Sequence, residues 1–484
     1  MNILILVNPA KNYKYFFYNV AKSLVDLGHS VYYAYDTEKN KILFPIPEID
    51  ESSKSYFFDV FFKINQEENL QSNDEFLFDC TWGEYFYSDF DRFLTHGYNL
   101  EKDAEEWVKI RKKMDSFFYK IITEKNIDLV LYENISNSFE YSAYRVAQTL
   151  GKKYFGLIAS RIPGRYEIQT SIIDDLLVDL ELVKEKPLTE EEINWYEDYK
   201  SNINKIEPDY MKQNGLDNVS LLNKVSSNIF YKIIRSIKAD IKYGAKSDYA
   251  SGLLFLRILS AVKVAVNRRL NHKKTKKYFL KMDEVNEIKQ QHKFYVYPMH
   301  YHPESSTSVL APQYTNEYHN ILNISNNLPF GQYLYVKDHR SAIGLNSDEF
   351  YRKISALPAV RLIPAEYNIK DLIKYSAGVI TVNSTAGYEA LILGKPVYLL
   401  GNVFYQNFSN VVRLENFNSL KSCLEKPTEF IENAADIVAY RRVTYEGILN
   451  FNMIEYDSNK VFFDKLAMNI QENKIGRASC RERV

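Results

Sequence analysis

The chain has 484 residues, of which 46% are hydrophobic and 25% are charged, and its formal net charge is −1. This length exceeds what one hydrophobic core usually serves, so it predicts two domains with an insertion. A charge this close to zero gives no general electrostatic basis for binding nucleic acid. The three cysteines, Cys80, Cys423 and Cys480, show neither metal-site spacing nor a disulfide framework, which suits a reducing compartment.

The first residues, MNILILVNPA, predict a strand rather than a signal peptide, because no basic leader precedes the apolar run. Arg257 and Lys263 interrupt the most apolar stretch, so no run reaches the roughly 18 residues that span a bilayer. We therefore predict a cytoplasmic protein.

Strand and helix patterns alternate in the N-terminal third. Asn2 to Val7 predicts a strand, Tyr13 to Leu27 a helix, and Ser30 to Tyr35 a second strand. The segment IDLVLYENISNSFEYSAYRVAQTLGKKYFGLI repeats the arrangement, with a strand to Ile158 at its end. Such units build parallel sheets, so residues 1–169 predict a Rossmann-like domain, which we assign to the acceptor.

Residues 170–290 predict a helical, basic insertion without strands. Residues 224–281 contain fifteen Lys or Arg residues and two acids, Asp240 and Asp248. This segment is either a solvated helical face or a surface for anionic membrane, because basic amphipathic helices also bind membranes.

The alternation resumes at Phe294, where FYVYP, QYLYVK, VRLIP, VITV and PVYLL predict five strands with helices between them. Residues 291–445 therefore predict a second Rossmann-like domain, for the nucleotide sugar. We expect residues 446–474 to form a helix that crosses back to the first domain, and residues 475–484 to be vector-derived or disordered. The fold class is α/β: a GT-B fold, with two Rossmann-like domains whose parallel sheets face a central cleft, plus the helical insertion.

Ligands of open parallel sheets bind at the carboxyl ends of the strands, so the residues after each strand are the candidates. FYVYP is followed by MHYHPESSTS, with His300, His302 and Glu304, which predicts a polar cleft wall rather than a metal site because no further ligand cluster follows. QYLYV is followed by KDHR, which places Lys337 and His339 at a strand end.

The stretch GVITVNSTAGYEALILGKPVYLLG predicts a strand, a helix and a strand, with Ser384 and Thr385 at the first helical turn. Free backbone N–H groups and the helix dipole make this turn a seat for phosphate. The alternative is that one hydroxyl merely caps the helix. Glu389 follows one turn later and is placed to accept hydrogen bonds from ribose.

In the N-terminal domain, Glu133 ends the strand LVLYE and is the candidate general base for an acceptor hydroxyl. The alternative is a structural carboxylate that caps the loop or pairs with a cation. Asp79 and Glu84 are weaker candidates for the base. Arg161 and Arg165, in SRIPGRY, predict a fork for a sugar carboxylate, and we assign His300 to the sugar carboxylate or the acceptor.

VYPMHYHPESSTSV, YVKDHR and VNSTAGYEALILGKPV together resemble bacterial capsule polysaccharide biosynthesis proteins, the group that includes capsular Kdo transferases and related nonulosonic acid transferases. The resemblance covers Phe294 to Gly401 well and LYEN and SRIPGRY moderately. It implies a GT-B glycosyltransferase that uses a CMP-activated sugar.

The chain is also similar to bacterial sialyltransferases. Carried over, Glu133 matches their acidic motif, His339 their His-Pro motif, and Ser384 with Thr385 the hydroxyl pair that holds CMP phosphate. Two residues depart from that pattern: Arg340 stands in place of the proline, and Asn134 in place of a second acid.

We therefore predict transfer of an acidic sugar, Kdo or a nonulosonic acid such as pseudaminic acid, from its CMP-activated donor to a capsule or surface glycan. The catalytic residues are Glu133 and His339, and the donor site comprises Ser384, Thr385, Lys337, Glu389, His302 and Glu304. No cofactor and no metal are expected. The expected partners are the CMP-sugar, a glycan or lipid-linked glycan acceptor and anionic membrane, without nucleic acid. The alternatives are a nucleotide-sugar 2-epimerase, a polyol-phosphate polymerase, or a non-catalytic scaffold for capsule assembly.

Overall fold

A computed structural model describes residues 1–8, 10, 12–64, 81–84, 103–209, 211, 229–244, 254–302, 304–426 and 430–481. These residues form two sheets with helices on both faces, which is the GT-B arrangement predicted from the sequence.

The first sheet has the order β13-β6-β5-β4-β1-β2-β3. Its strands are β1 (Asn2–Val7), β2 (Ser30–Tyr35), β3 (Ser55–Phe57), β4 (Leu129–Glu133), β5 (Lys153–Ala159), β6 (Arg165–Gln169) and β13 (Tyr445–Glu446). The strands from β3 to β5 are parallel, whereas β6 is antiparallel to β5 and β13 is antiparallel to β6. Because β13 comes from the far end of the chain, the polypeptide crosses back to the first sheet at Tyr445.

The second sheet is parallel throughout and has the order β12-β11-β10-β7-β8-β9. Its strands are β7 (Phe294–Pro298), β8 (Tyr333–Lys337), β9 (Val360–Ile363), β10 (Gly378–Thr381), β11 (Val397–Leu399) and β12 (Val411–Arg413). Side chains alternate along β7, so that Phe294 and Val296 enter one core while Tyr295 and Tyr297 enter the core on the opposite face. Both faces are thus covered, as parallel sheets require.

Helices of the N-terminal domain surround the first sheet. They are α1 (Tyr13–Asp26), α2 (Asn40–Leu43), α3 (Pro47–Asp50), α4 (Phe58–Ile64), α5 (Ala104–Glu124) and α6 (Ser138–Thr149). The last described helix, α19 (Lys460–Arg481), packs on α1 and contributes Phe463, Leu466 and Ile470 to this core. It extends into 475–484, the segment that the sequence predicts to be vector-derived or disordered.

The described parts of the insertion are helical: α7 (Asp174–Lys184), α8 (Glu190–Asn202), α9 (Ile229–Tyr243), α10 (Leu254–Thr275) and α11 (Met282–Ile288). Leu180 of α7 and Tyr196 of α8 lie in the core of the second sheet, so these two helices are built into the C-terminal domain. By contrast, α9 packs on α2 of the N-terminal domain, and α10 packs on a helix of the C-terminal domain. No described helix is both long enough and apolar enough to cross a membrane.

The second sheet is surrounded by α12 (Ser305–Ser308), α13 (Glu317–Asn326), α14 (Asp348–Ser355), α15 (Ile369–Tyr375), α16 (Thr385–Ile392), α17 (Leu420–Glu425) and α18 (Ala434–Val443). The helix that α10 contacts is α14. Short 3₁₀ turns lie at Lys276–Tyr278, Pro312–Tyr314, Arg340–Ala342, Phe417–Ser419 and Asp457–Asn459.

Candidate functional site

A cleft of about 1000 Å³ lies between the carboxyl ends of the two sheets and is lined by residues of both domains. The domains touch at its edges. The side-chain amide of Asn134 is 3.3 Å from the Ser305 hydroxyl, and the Tyr440 hydroxyl accepts a 3.0 Å hydrogen bond from the Arg161 backbone N–H. These contacts hold the two domains face to face across the cleft.

The structure brings most of the predicted site residues to this cleft. Those that line it are Glu133, Arg161, His300, Glu304, Lys337, His339, Ser384, Thr385 and Glu389. Two predicted residues, His302 and Arg165, do not line it. The residues come from the ends of β4, β5, β7, β8 and β10, where parallel sheets place their ligand sites.

Glu133 is the last residue of β4 and faces the cleft from the N-terminal domain. The Tyr13 hydroxyl donates a hydrogen bond to its carboxylate. Burial raises the pKa of Tyr13 far above its usual value, and the charge of Glu133 raises it further, so this hydroxyl stays protonated. The Tyr154 hydroxyl donates to the backbone carbonyl of Glu133 at 2.8 Å, which fixes the strand end. Glu133 thus occupies a defined position, with its carboxylate contacting a neutral donor.

Glu317 of α13 lies behind His300 and His302. Its Oε1 accepts from the His300 backbone N–H at 2.7 Å and lies 3.2 Å from His300 Nδ1 and 3.4 Å from His302 Nε2. Its Oε2 accepts from the Tyr297 hydroxyl at 2.7 Å. A carboxylate can only accept, so Nδ1 of His300 carries a proton. Both ring nitrogens of His302 have partners, because Nε2 contacts Glu317 and Nδ1 lies 3.2 Å from the Thr307 hydroxyl.

The pKa of Glu317 is lowered to about 2. Burial acts in the opposite direction, but hydrogen bonds and charges from His300 and His302 outweigh it. Glu317 therefore stays ionised and orients the imidazole of His300 at the cleft wall. His302, predicted to bind the donor nucleotide, instead holds Glu317 in place.

His339 follows β8 and lines the cleft next to Tyr301, whose ring is stacked on it at 6.0 Å. Its Nδ1 accepts a 3.1 Å hydrogen bond from the Ser341 backbone N–H. The proton of the neutral ring therefore lies on Nε2. Burial, then the charge of Lys337, lowers the pKa of His339 to about 4, so the ring is neutral at physiological pH. His339 can donate one hydrogen bond without carrying charge.

Lys337 ends β8, and its ammonium donates to the Ala365 carbonyl at 2.9 Å. Burial, then the charge of Arg340, lowers its pKa to about 8. Its neighbour Asp338 is fixed by the Tyr351 hydroxyl at 2.6 Å, and burial raises the pKa of Asp338 to about 6. At neutral pH, Lys337 is therefore charged, and its buried ammonium group lies at the cleft.

Ser384 is the N-cap of α16, and its hydroxyl accepts from the Ala386 backbone N–H at 3.2 Å. The capping alternative is therefore realised for Ser384, while both Ser384 and Thr385 line the cleft. The Tyr405 hydroxyl donates to the Ser384 carbonyl, and a Cβ at position 387 would collide with that hydroxyl. Gly387 thus permits the close approach that fixes the first turn of α16 against the cleft.

Glu389 lies one turn further along α16, and its Oε1 is 3.3 Å from the Lys370 ammonium. Burial raises the pKa of Glu389, while Lys370 opposes the rise and Glu207 adds to it. The carboxylate that we expect to accept from ribose is therefore already paired with a cation inside the cleft.

The predicted fork of Arg161 and Arg165 is not formed at the cleft. Arg161 follows β5 and lines the cleft. Arg165 instead begins the antiparallel strand β6. Its guanidinium donates to the Thr444 hydroxyl at 2.7 Å and to the Thr444 carbonyl at 2.6 Å. The segment SRIPGRY turns the chain from β5 into β6. Arg165 therefore fixes β13 to the first sheet.

Glu84, Asp79 and Glu304 are the remaining candidates from the sequence. Glu84 accepts from the backbone N–H of Thr81 at 2.6 Å and does not line the cleft. Asp79 lies outside the described residues. Glu304 lines the cleft at the start of α12, with its side chain exposed. Among the described residues, no group of three or more His, Cys, Asp or Glu side chains is arranged to hold a metal ion.

Sequence reasoning missed four contributors to the site: Glu317, Tyr13, Tyr440 and Lys370. Each lies on a helix distant in sequence from the residue it contacts, so no local motif marked it.

The fold and the cleft define a two-domain GT-B protein with a polar site between its sheets. Residues 219–409 match the model of the family described as capsule polysaccharide biosynthesis protein. This match confirms the resemblance to capsule polysaccharide biosynthesis proteins that the sequence predicts. A comparison with the curated proteins found no match.

Among solved structures, the chain is similar to KpsC from Thermosulfurimonas dismutans, a beta Kdo 2,4 transferase, with 15% identity, coverage of 64% of this chain and 79% of that chain, and a TM-score of 0.35. It is also similar to UDP-bound MnaA from S. aureus, with 10% identity, coverage of 98% and 96%, and a TM-score of 0.28. UDP-GlcNAc 2-epimerase from Methanocaldococcus jannaschii gives 11% identity, coverage of 91% and 99%, and a TM-score of 0.24. All three TM-scores lie below 0.5, so the fold assignment depends on the two sheets themselves.

Proposed function

We propose that the protein is a glycosyltransferase that moves an acidic sugar, Kdo or a nonulosonic acid, from a CMP-activated donor to a capsule or surface glycan. The observation that carries this proposal is the meeting of His339, Lys337 and the first turn of α16 at one side of a cleft, opposite Glu133. The family match over residues 219–409 supports a role in capsule biosynthesis.

In this proposal, the donor phosphate lies on the side of the cleft that the C-terminal domain forms. Lys337 supplies positive charge, His339 supplies a neutral N–H donor, and the N-terminal end of α16 supplies the helix dipole. These groups stabilise the charge that develops on the phosphate as the bond to the anomeric carbon breaks. The CMP leaves with the electron pair of that bond, and the proposal needs neither a metal nor a cofactor.

The acceptor hydroxyl is placed between that phosphate and the N-terminal domain. Its oxygen forms the new bond to the anomeric carbon, and its proton passes to the carboxylate of Glu133. Arg161 and His300 line the same cleft and are assigned to the sugar carboxylate or the acceptor. Glu304 and Glu389 are assigned to the donor nucleotide.

The experiment that tests the donor class is a thermal-shift screen of the full chain with CMP, UMP, CDP and UDP. A ligand at a hundred times its dissociation constant stabilises the folded state by about 2.7 kcal/mol, which shifts the melting temperature measurably. Stabilisation by CMP followed by hydrolysis of a CMP-sugar supports the proposal. Turnover of a UDP-sugar or a CDP-polyol would replace it with an epimerase or a polymerase, and the absence of any nucleotide binding would favour a scaffold.

We also propose a cytoplasmic location at the inner face of the membrane. The excess of Lys and Arg in residues 224–281 supports this part, because anionic lipids attract such segments.

A further inference from the structure

Helices α9 and α10 each expose a row of apolar side chains. On α9, Ile234, Ile237 and Ile241 are 49%, 43% and 80% exposed. On α10, Leu259, Val262, Val266 and Leu270 are 49%, 57%, 50% and 49% exposed. Spacings of three, four and seven residues place each set on one side of its helix. We call these seven residues the α9–α10 face.

Cations lie on the same two helices. The exposed ones include Arg235, Lys238, Lys242, Lys263, Lys273 and Lys274. The one acid in the sequences of the two helices is Asp240, and its carboxylate is 2.7 Å from the Lys39 ammonium with 15% of its side chain exposed. The α9–α10 face is therefore apolar, bordered by positive charge and without an exposed acid of its own.

We propose that the α9–α10 face docks on a bilayer that contains anionic phospholipid. Apolar side chains on one side of a helix enter the boundary between headgroups and acyl chains, and lysines beside them bind anionic headgroups. A second copy of the chain fits less well, because a symmetric contact would bring the lysines of one copy against those of the other. The inference specifies the surface for the membrane part of the proposed function, on which it rests.

The docking helices are attached to both domains. On the N-terminal side, the Arg235 guanidinium lies 3.4 Å from the Leu43 carbonyl. On the C-terminal side, Arg268 donates to the carbonyls of Ser341 and Ile343, at 2.7 Å each. Gly344 has a φ of +74°, and a Cβ there would collide with the Arg268 carbonyl. The loop that α10 contacts so closely also carries His339, so docking places the donor side of the cleft near the bilayer.

The test is co-sedimentation of the full chain, at low salt, with vesicles of phosphatidylcholine alone or mixed with phosphatidylglycerol. We expect binding to the mixed vesicles only. The triple variant Lys263→Gln, Lys273→Gln, Lys274→Gln should bind them about a hundredfold less tightly, since each lysine near an anionic surface contributes about fivefold. The matched variant Lys120→Gln, Lys353→Gln, Lys421→Gln removes three exposed lysines elsewhere and should bind as the wild type does.

Insertion is tested with Val262→Trp and brominated phosphatidylglycerol. Its fluorescence should be quenched, whereas that of Val25→Trp, whose parent valine is 54% exposed on α1, should not be quenched beyond the wild type. Equal binding to both vesicle types, or an unaffected lysine triple variant, would overturn the docking proposal. So would light scattering that shows the wild type as a dimer and the triple variant as a monomer.

Calorimetry with CMP in the absence of vesicles separates this proposal from the donor assignment. Normal CMP binding without vesicle preference overturns docking and leaves the transferase proposal standing. Vesicle binding through the α9–α10 face without nucleotide binding supports docking and counts against the transferase.

Discussion

Glu317 Oε1 lies 3.2 Å from Nδ1 of His300, although the two residues come from different elements, α13 and the loop after β7. The same carboxylate accepts from the Tyr297 hydroxyl and contacts His302. One buried acid thus fixes the position of a cleft histidine and decides which of its nitrogens carries the proton. Because Glu317 does not line the cleft, it acts as a positioning residue.

The contribution of Glu317 to stability should depend on pH. Its folded pKa, about 2, lies below the ordinary value of 4.5, so its contribution is present above pH 4.5 and is lost as the pH falls through 2. The shift corresponds to about 3 kcal/mol. We expect Glu317→Gln to lower the free energy of unfolding by about that amount at pH 7, and the difference from the wild type to shrink between pH 5 and pH 2. Urea denaturation across this range measures it; a difference that stays constant with pH would contradict the prediction.

Ser384→Ala combined with Thr385→Ala should weaken CMP binding by about 1–3 kcal/mol, the usual cost of losing hydrogen bonds to a charged group. Calorimetry with CMP measures this loss. The Ser384 change also removes a helix cap, so we expect a separate loss of about 1 kcal/mol in stability.

Ser347→Ala is the matched control for the lost cap. Ser347 caps α14 in the same way, accepting from the Phe350 backbone N–H at 3.1 Å, but it does not line the cleft. This variant should lose similar stability and keep its CMP affinity. Unchanged affinity in the double variant at 384 and 385 would remove these residues from the phosphate site.

Much of the fold could be predicted because the parallel strands are short apolar runs bounded by polar residues. The run Phe294 to Pro298 is a strand with the predicted bounds, and Asn2 to Val7 is another. β6 was not predicted, although Tyr166 and Ile168 alternate with polar residues along its five positions. On the opposite face of this strand, Glu167 is also buried, which a polar residue gives no reason to expect. The carboxylate of Glu167 accepts a hydrogen bond from the Tyr440 hydroxyl of α18. Because this partner for the buried carboxylate comes from a distant part of the chain, no local sequence pattern indicates it.

The candidate site was predictable where a residue lies at or just after the carboxyl end of a strand. Lys337 is the last residue of β8, and His339 and Ser384 lie within three residues of a strand end. They share one cleft because parallel strands end at one edge of the sheet. Residues that reach the site from helices, such as Glu317 and Lys370, were missed because their spacing in the sequence carries no information on their contacts. Arg165 was misplaced for a related reason: an antiparallel turn sends it away from the cleft.

CMP affinity should fall as the pH rises through about 8, the pKa of Lys337. Below that pH the ammonium is charged and attracts the phosphate, and above it the amine is neutral. Titration calorimetry between pH 7 and 9.5 should show this decline in the wild type and a flat, weaker affinity in Lys337→Met. Lys395→Met is the control, because burial also lowers the pKa of Lys395 but this residue does not line the cleft. A wild-type decline that persists in Lys337→Met would assign the titration to another group.

Glu133→Gln should cut turnover by about two to four orders of magnitude if Glu133 removes the acceptor proton in the transition state. Glutamine keeps the shape and can still accept from the Tyr13 hydroxyl, so donor affinity and stability should change little. Glu140→Gln provides the structural comparison. Glu140 is fully buried and accepts from Asn8 and from the Ser136 backbone N–H, both within 3 Å, so its loss should destabilise the fold and spare the chemistry. The deciding quantity is the transfer rate per folded, CMP-binding molecule. Near-normal transfer by Glu133→Gln would exclude Glu133 as the base and make Asp79 the next residue to test.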